Sequence, residues 1–301
     1  MNKQSNLVFS IITPTFNRAE FLERIWKTLN PQSLYISEWI VIDDGSSDKT
    51  FEVISKLKKI SSINIIYQYS SNRGMTSAIN IGLKYVKADY FFKLDSDDYL
   101  SESSLKMISN SITRVKKSKI NGNINAYSFI SRTPSGEIIN KFSSLLKFGK
   151  FIDKKIITAD YVSARFSNWI TGDLLDIFES YPLLDHFRYP IFSDERNSPS
   201  GYISYFNSDF NKGNVAYILE VALIKDYQEN GVSFQRKYNK KNTSYDNFKT
   251  YLTANIWLLK ITEDKLKPFL IAIKEVFKLF LILFSSYIFK FIKLFLKKLK
   301  L

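Results

Sequence analysis

The apolar run Phe91-Phe92-Lys93-Leu94 ends in Asp95-Ser96-Asp97-Asp98, three carboxylates within four residues. Residues two apart on an extended chain share a side, so Asp95 and Asp97 can face one ion at the carboxyl edge of a strand that stops just before them. Hard oxygen donors of this kind suit Mg²⁺ or Mn²⁺. Acids after a strand also cap helices, and Asp97 or Asp98 could do so ahead of Ser103-Ser104-Leu105. A calcium loop is excluded, because Tyr99 and Leu100 stand where it needs another oxygen donor and a glycine.

Three strand-and-helix steps precede that run. Phe9-Ser10-Ile11-Ile12-Thr13-Pro14-Thr15-Phe16-Asn17-Arg18 reads as a buried strand and a turn, and Phe21, Leu22, Ile25, Trp26 and Leu29 follow at helical spacing. The strand Trp39-Ile40-Val41-Ile42 ends in Asp43-Asp44-Gly45-Ser46-Ser47-Asp48, before a helix through Phe51, Val53, Ile54 and Leu57. A third strand over 63–67 precedes Asn72-Arg73-Gly74 and a helix through Ala78, Ile81, Gly82, Leu83 and Val86. This β-α-β-α-β-α-β series predicts an α/β fold with a mostly parallel sheet, helices on both faces and ligands beyond the carboxyl ends of the strands. The polar clusters all lie there. An Asp-x-Asp phosphatase would leave the Asp43-Asp44-Gly45 strand end without a purpose. A nucleotidyltransferase would need a glycine-rich loop where Thr13-Pro14-Thr15-Phe16 stands.

Four stretches carry a resemblance: Ser10 to Arg18, Val41 to Asp48, Asn72 to Gly82 and Leu94 to Asp98. In type and order they resemble the family 2 glycosyltransferases, whose Rossmann-like, nucleotide-diphosphosugar-binding fold is called GT-A, over about the first hundred residues. The resemblance implies transfer of a sugar from a nucleotide-diphosphosugar to an acceptor hydroxyl, usually with inversion at the anomeric carbon. It puts Pro14, Thr15 and Arg18 around the nucleotide, Asp43 against the base with Asp44 beside it, Asp95 near the ribose, and Asp97 on the metal that binds the diphosphate. Asp95 and Asp97 are thus the expected ligands of Mn²⁺ or Mg²⁺. A cation held there neutralises the charge that develops on the leaving nucleoside diphosphate. Arg73 has the forked geometry to bind phosphate oxygens, while Asn72 and Gly74 form a turn that brings backbone close to the donor.

Inversion also needs a base for the acceptor proton. The resemblance directs the search about a hundred residues beyond the acidic motif, to Tyr189 through Ser200. Similar polysaccharide-pathway proteins tend to have a Pro-Glu pair where this chain has Pro199-Ser200, and serine cannot be that base. Asp194 and Glu195 are the nearest replacements, with Asp173 in reserve. A chain lacking the base would be a catalytically inactive, membrane-bound scaffold that binds nucleotide-sugar. Tyr161, Trp169, Tyr202 and Tyr205 can stack on sugar rings, although aromatics in a domain of this size are more often core.

The expected organisation is a GT-A domain over 6–235, with a nucleotide-sugar-binding half (6–100) and an acceptor half (101–235). A linker and helix over 236–264 and a basic amphipathic helix over 265–301 follow. The chain has no cysteine, which excludes disulfides and thiolate metal sites. The net charge of +14 is uneven: residues 265–301 hold nine lysines against one acid, Glu275, and so contribute eight of the fourteen. The longest uncharged run there, 279–289, is shorter than the roughly 20 apolar residues needed to span a bilayer. At about 100° per residue, Lys274, Lys278, Lys293, Lys297 and Lys300 share one sector. That pattern fits a helix lying on an anionic membrane surface and not a nucleic-acid partner. The first residues lack the apolar stretch of a secretory signal. The expectation is a peripheral protein at the cytoplasmic face of the membrane, acting on a saccharide or lipid-linked saccharide acceptor.

Overall fold

Alternation along the first two strands decides the architecture. In β1 (Phe9–Thr15), Phe9 and Ile11 face one side of the sheet and Ile12 the other; in β2 (Ile36–Asp43), Trp39 and Val41 oppose Ile40 and Ile42. Two apolar faces demand two helical layers. The computed structural model supplies both, and it describes residues 6–118, 124–160, 164, 169–189, 191, 214–228 and 273.

The first layer is α1 (Ala19–Leu29), α2 (Thr50–Ile60) and α4 (Ser104–Lys117). Leu22, Ile25 and Leu29 of α1 meet Ile54 and Leu57 of α2 and Leu105, Ile108 and Ile112 of α4 over Phe9, Ile11, Trp39 and Val41. The second is built on α3 (Met75–Gly82), whose Ala78 and Ile79 pack on Ile12, Ile40 and Ile42. Each such apolar side chain contributes roughly 1.5–3 kcal/mol when fully buried.

The described strands form a ten-stranded sheet. Besides β1 and β2 it contains β3 (Ile65–Tyr69), β4 (Tyr90–Lys93), β5 (Tyr99–Leu100), β6 (Ile124–Arg132), β7 (Lys150–Phe151), β8 (Ile156–Asp160), β9 (Leu175–Glu179) and β10 (Asn214–Ile224). The order is β3-β2-β1-β4-β9-β6-β10-β8-β7, with β5 paired to β10. The half read from sequence, β3-β2-β1-β4, is parallel throughout. Beyond it β6 and β10 are parallel, while β5, β7, β8 and β9 run antiparallel to their neighbours.

Two local expectations shift. The third strand begins at Ile65, because Asn64 gives its carbonyl to Trp39 N and Ile63 packs into the core just ahead of the ladder. Ser103 precedes α4 with no side-chain cap, so neither Asp97 nor Asp98 serves as its N-cap. The boundaries drawn at 235 and 265, the linker and the basic tail lie outside the described residues. Among the described residues no helix is long and apolar enough to cross a membrane.

Gly82 lets α3 sit directly on the sheet: a Cβ there would lie 2.6 Å from Ile12 Cγ2 and 3.4 Å from Ile42 Cγ1. Ile12 is β-branched and enclosed, so it has little room to turn away. Gly82→Val should therefore cost about 1–3 kcal/mol of stability by overpacking, read as a lower urea midpoint.

Candidate functional site

The carboxyl ends of β1, β2 and β4 meet at one sheet edge, and their loops are tied to one another. Asn17, in the left-handed region at φ +51, accepts from Ser47 N at 2.8 Å, while its own N–H donates to Ser46 Oγ at 2.8 Å. Asp48 crosses from the β2 loop to accept from Ala19 N at 3.0 Å, closing the first turn of α1. Burial opposes its ionisation, but hydrogen bonds from Thr50 and Ala19 hold its carboxyl below the ordinary value.

Pro14 and Thr15 end β1 as buried residues, and Thr15 Oγ1 is a buried polar atom without a partner among the described residues. Asp43, 1% exposed, accepts from Ser46 N at 2.8 Å and Tyr67 Oη at 2.7 Å. Those bonds fix its orientation and leave lone pairs for a ligand. Asp44 instead holds the backbone: its two oxygens accept Arg73 N at 2.8 Å and Gly74 N at 2.7 Å, fastening the loop before α3. Gly45, at φ +90, passes so close to Asn72 that a Cβ would lie 3.0 Å from its backbone nitrogen. Asn72 and Arg73 are exposed, and the half-buried Arg18 lies over the Phe21 ring.

The acidic motif is brought together with a residue that sequence reasoning missed. β5 follows Asp98 directly and pairs with the last residues of β10, Tyr99 opposite Ile224, which sets Lys225 beside the acids. Lys225 Nζ lies 2.7 Å from Asp98 Oδ2 and 3.4 Å from Asp95 Oδ2, and Lys93 pairs with the other oxygen of Asp95. Burial disfavours the Asp95 charge, yet Lys93 and Lys225 hold its carboxyl well below the ordinary range. Burial pushes Asp98 up to about 7, with Asp95 and Asp97 adding to the shift and Lys225 opposing it. Asp97 is raised by burial and by the Asp95 charge. Lys225 stays cationic despite burial, because Asp95, Asp98 and Asp173 raise its pKa.

From the other side, Arg24 of α1 donates to the Asp97 carbonyl at 2.6 Å, pairs with Asp226 and lies 4.6 Å over the Tyr99 ring. A cavity of about 110 Å³ opens behind the acids. Its apolar floor includes Ile12, Phe91 and Phe178, and Lys93, Asp95, Asp98, Asp173 and Lys225 line its polar side. β9 runs antiparallel to β4, so the segment entering it delivers Asp173 to the edge where β4 ends. There Asp173 accepts from Tyr227 Oη at 2.8 Å. Trp169 stacks on Phe148 at 5.3 Å. Asp194, Glu195, Tyr161, Tyr202 and Tyr205 lie outside the described residues. The available signal for Lys225 was its place directly after a long apolar strand, much as Asp43 and Asp44 close β2.

Among the described residues no group of three or more His, Cys, Asp or Glu side chains is arranged to hold a metal ion by itself. The donor set nevertheless suits Mg²⁺ or Mn²⁺. Asp95 and Asp98 are engaged by lysines, whereas Asp97 makes no ion pair among the described residues. One carboxylate completed by substrate phosphates and water is a usual way for proteins to hold such ions.

Comparison with known proteins bears on the fold and the family. A glycosyltransferase solved from Pyrobaculum calidifontis with GDP-Man and Mn²⁺, the mannosyltransferase PcManGT, superimposes with a TM-score of 0.59 at 16% identity, over 89% of this chain and 69% of that one. The poly(ribitol-phosphate) beta-N-acetylglucosaminyltransferase TarP of Staphylococcus aureus is 38% identical over 104 residues, 34% of this chain and 32% of TarP. The GalNAc(5)-diNAcBac-PP-undecaprenol beta-1,3-glucosyltransferase of Campylobacter jejuni is 27% identical over 183 residues, 60% of this chain and 54% of that protein. The chain thus spans about a third to a half of these two relatives. The family model for glycosyl transferase family 2 matches residues 10–165, just over half of the chain, and the chain belongs to that family.

Proposed function

We propose that this protein is an inverting glycosyltransferase that moves a sugar from a nucleotide-diphosphosugar to an acceptor hydroxyl in the synthesis of a bacterial cell-surface polysaccharide. The observation that carries this reading is that Thr15 and Asp43 end the paired strands β1 and β2 and the acidic motif follows β4 beside them, at the edge where Asp95, Asp98 and Asp173 line a cavity. Relatives named for poly(ribitol-phosphate) and for an undecaprenol-linked saccharide support the pathway class. The second of these and the basic tail support a lipid-linked saccharide as acceptor and peripheral attachment to an anionic membrane surface.

In this reading the oriented Asp43 receives the base, with Pro14, Thr15 and Arg18 lining the nucleotide pocket and Arg73 within reach of phosphate. Asp97 would hold the Mn²⁺ or Mg²⁺, and Asp95, kept ionised by Lys93 and Lys225, would lie near the ribose. The divalent ion supplies Lewis-acid stabilisation of the diphosphate as it leaves. Asp173 is the base candidate that lines the cavity, and Tyr227 fixes its carboxylate through the 2.8 Å hydrogen bond. It takes the acceptor hydroxyl's proton as that oxygen bonds to the anomeric carbon from the face opposite the diphosphate; the bond to the diphosphate oxygen breaks and the nucleoside diphosphate departs with the electron pair. Asp194 and Glu195 remain the alternative bases.

Donor turnover across a panel of nucleotide sugars with Mn²⁺ or Mg²⁺ tests the reading. The wild type should release nucleotide from one donor in a metal-dependent way, and Asp97→Ala should lower that rate at least about 100-fold. Donor binding without release or transfer would point to the inactive scaffold, and no binding of any donor would defeat the reading. Asp173→Asn should retain donor binding but lose about 10²–10⁴-fold in transfer. Full transfer by Asp173→Asn with loss in Asp194→Asn or Glu195→Gln would relocate the base.

A further inference from the structure

Lys225 occupies the kind of position in which a bound cation would be sought. Its side chain is 11% exposed, its ammonium bridges Asp98 and Asp95 at 2.7 and 3.4 Å, and Asp98 itself is 2% exposed. The next residues keep it there. Asp226 N donates to Asp98 Oδ1 at 3.2 Å, the Asp226 carboxylate pairs with Arg24, and Tyr227 reaches Asp173. Lys93 adds a second positive charge on Asp95.

Two lysines therefore balance two of the three carboxylates, and only Asp97 lacks an ion pair among the described residues. A divalent ion arriving on Asp97 would meet one carboxylate without an ion pair and two nearby cations, the Lys225 ammonium and the Arg18 guanidinium, whose charges both act on Asp97. Like charges a few ångströms apart repel strongly in a half-buried site, and twice as strongly for a doubly charged ion as for a singly charged one. A diphosphate changes this balance, since it brings both negative charge and further oxygen ligands.

We propose that Lys225 is a built-in monovalent cation that keeps the free protein from holding a divalent metal, so that metal binds together with the donor's diphosphate. This rests on the donor-binding reading above. Lys225 is a positioning residue: it acts through Asp95 and Asp98, fixing the acidic loop while leaving Asp97 for the metal. The order of events follows from charge, because the two lysines leave the three carboxylates of the acidic loop with a single net negative charge before donor arrives, and one carboxylate has little to offer a bare metal ion.

The test is Mn²⁺ binding by the full chain, followed by electron paramagnetic resonance of the free ion and corrected for Mn²⁺ held by nucleotide alone. It is measured without nucleotide and with UDP or GDP, for the wild type, Lys225→Met, Lys225→Gln and Lys225→Arg. Wild type should bind Mn²⁺ at least about tenfold more tightly with the matching nucleoside diphosphate than without it. Lys225→Met or Lys225→Gln should raise the nucleotide-free affinity at least about tenfold, and Lys225→Arg should keep the wild-type gap. If burial makes Lys225→Met fail to fold, Lys225→Gln, which keeps a donor for Asp98, supplies the same comparison. Equal Mn²⁺ affinity with and without nucleotide, or unchanged nucleotide-free affinity in a folded neutral variant, overturns the proposal and leaves the donor reading intact. Absence of Mn²⁺ binding under every condition, together with absence of nucleotide binding, overturns both.

Discussion

Three carboxylates crowded at the end of a buried strand repel one another and lose hydration, and the ion pairs of Lys225 and Lys93 are what make such a cluster tolerable. Removing one partner of a buried pair leaves an uncompensated charge, which is why the placement of Lys225 constrains so much else. β10 must end beside β4's loop, and β5 pairs with its last residues to bring that about. Arg24 must reach from α1 to hold the Asp97 carbonyl and Asp226. Strand β9 must run antiparallel to β4, so that Asp173 enters at the same edge.

The remainder of the sheet serves that edge by fixing where its strands end. Parallel pairing of β3, β2, β1 and β4 brings successive loops to one side, and the two apolar faces lock the strands between α1, α2 and α4 on one side and α3 on the other. The opposite edge shows the same discipline with buried charge. Glu38, 1% exposed, accepts from Ser10 Oγ and from Lys87 N, so a carboxylate at the amino ends of the strands is fully engaged. At the carboxyl ends, by contrast, Thr15 Oγ1 has no partner and Asp97 no ion pair among the described residues. Polar groups left open on one edge and satisfied on the other are what a ligand site at the carboxyl edge requires.

The parallel half was legible in the sequence because each strand is short, apolar and followed at once by its own helix, so local pattern and topology coincide. The positions of Asp43, Asp95 and Asp97 at the carboxyl edge were legible for the same reason: each sits at or just beyond the end of such a strand. Asp44 reads from its position as a donor contact, but its oxygens hold the Arg73 and Gly74 amides, a relation between loops about thirty residues apart that spacing does not encode. Lys225 lies 127 residues from Asp98, and no local pattern joins them. Asp173 and Tyr227 meet through strands that are antiparallel or late in the chain, outside the repeating β-α units from which the first half could be read.

A crystal structure of the protein with a nucleoside diphosphate and Mn²⁺, the ion located by its anomalous scattering, tests the shared donor edge most directly. The expected result is Mn²⁺ bound by an Asp97 oxygen and the diphosphate, with the base against Asp43 and the ammonium of Lys225 still between Asp95 and Asp98. An ion held away from Asp97, or a nucleotide bound anywhere but the carboxyl ends of β1, β2 and β4, would contradict it.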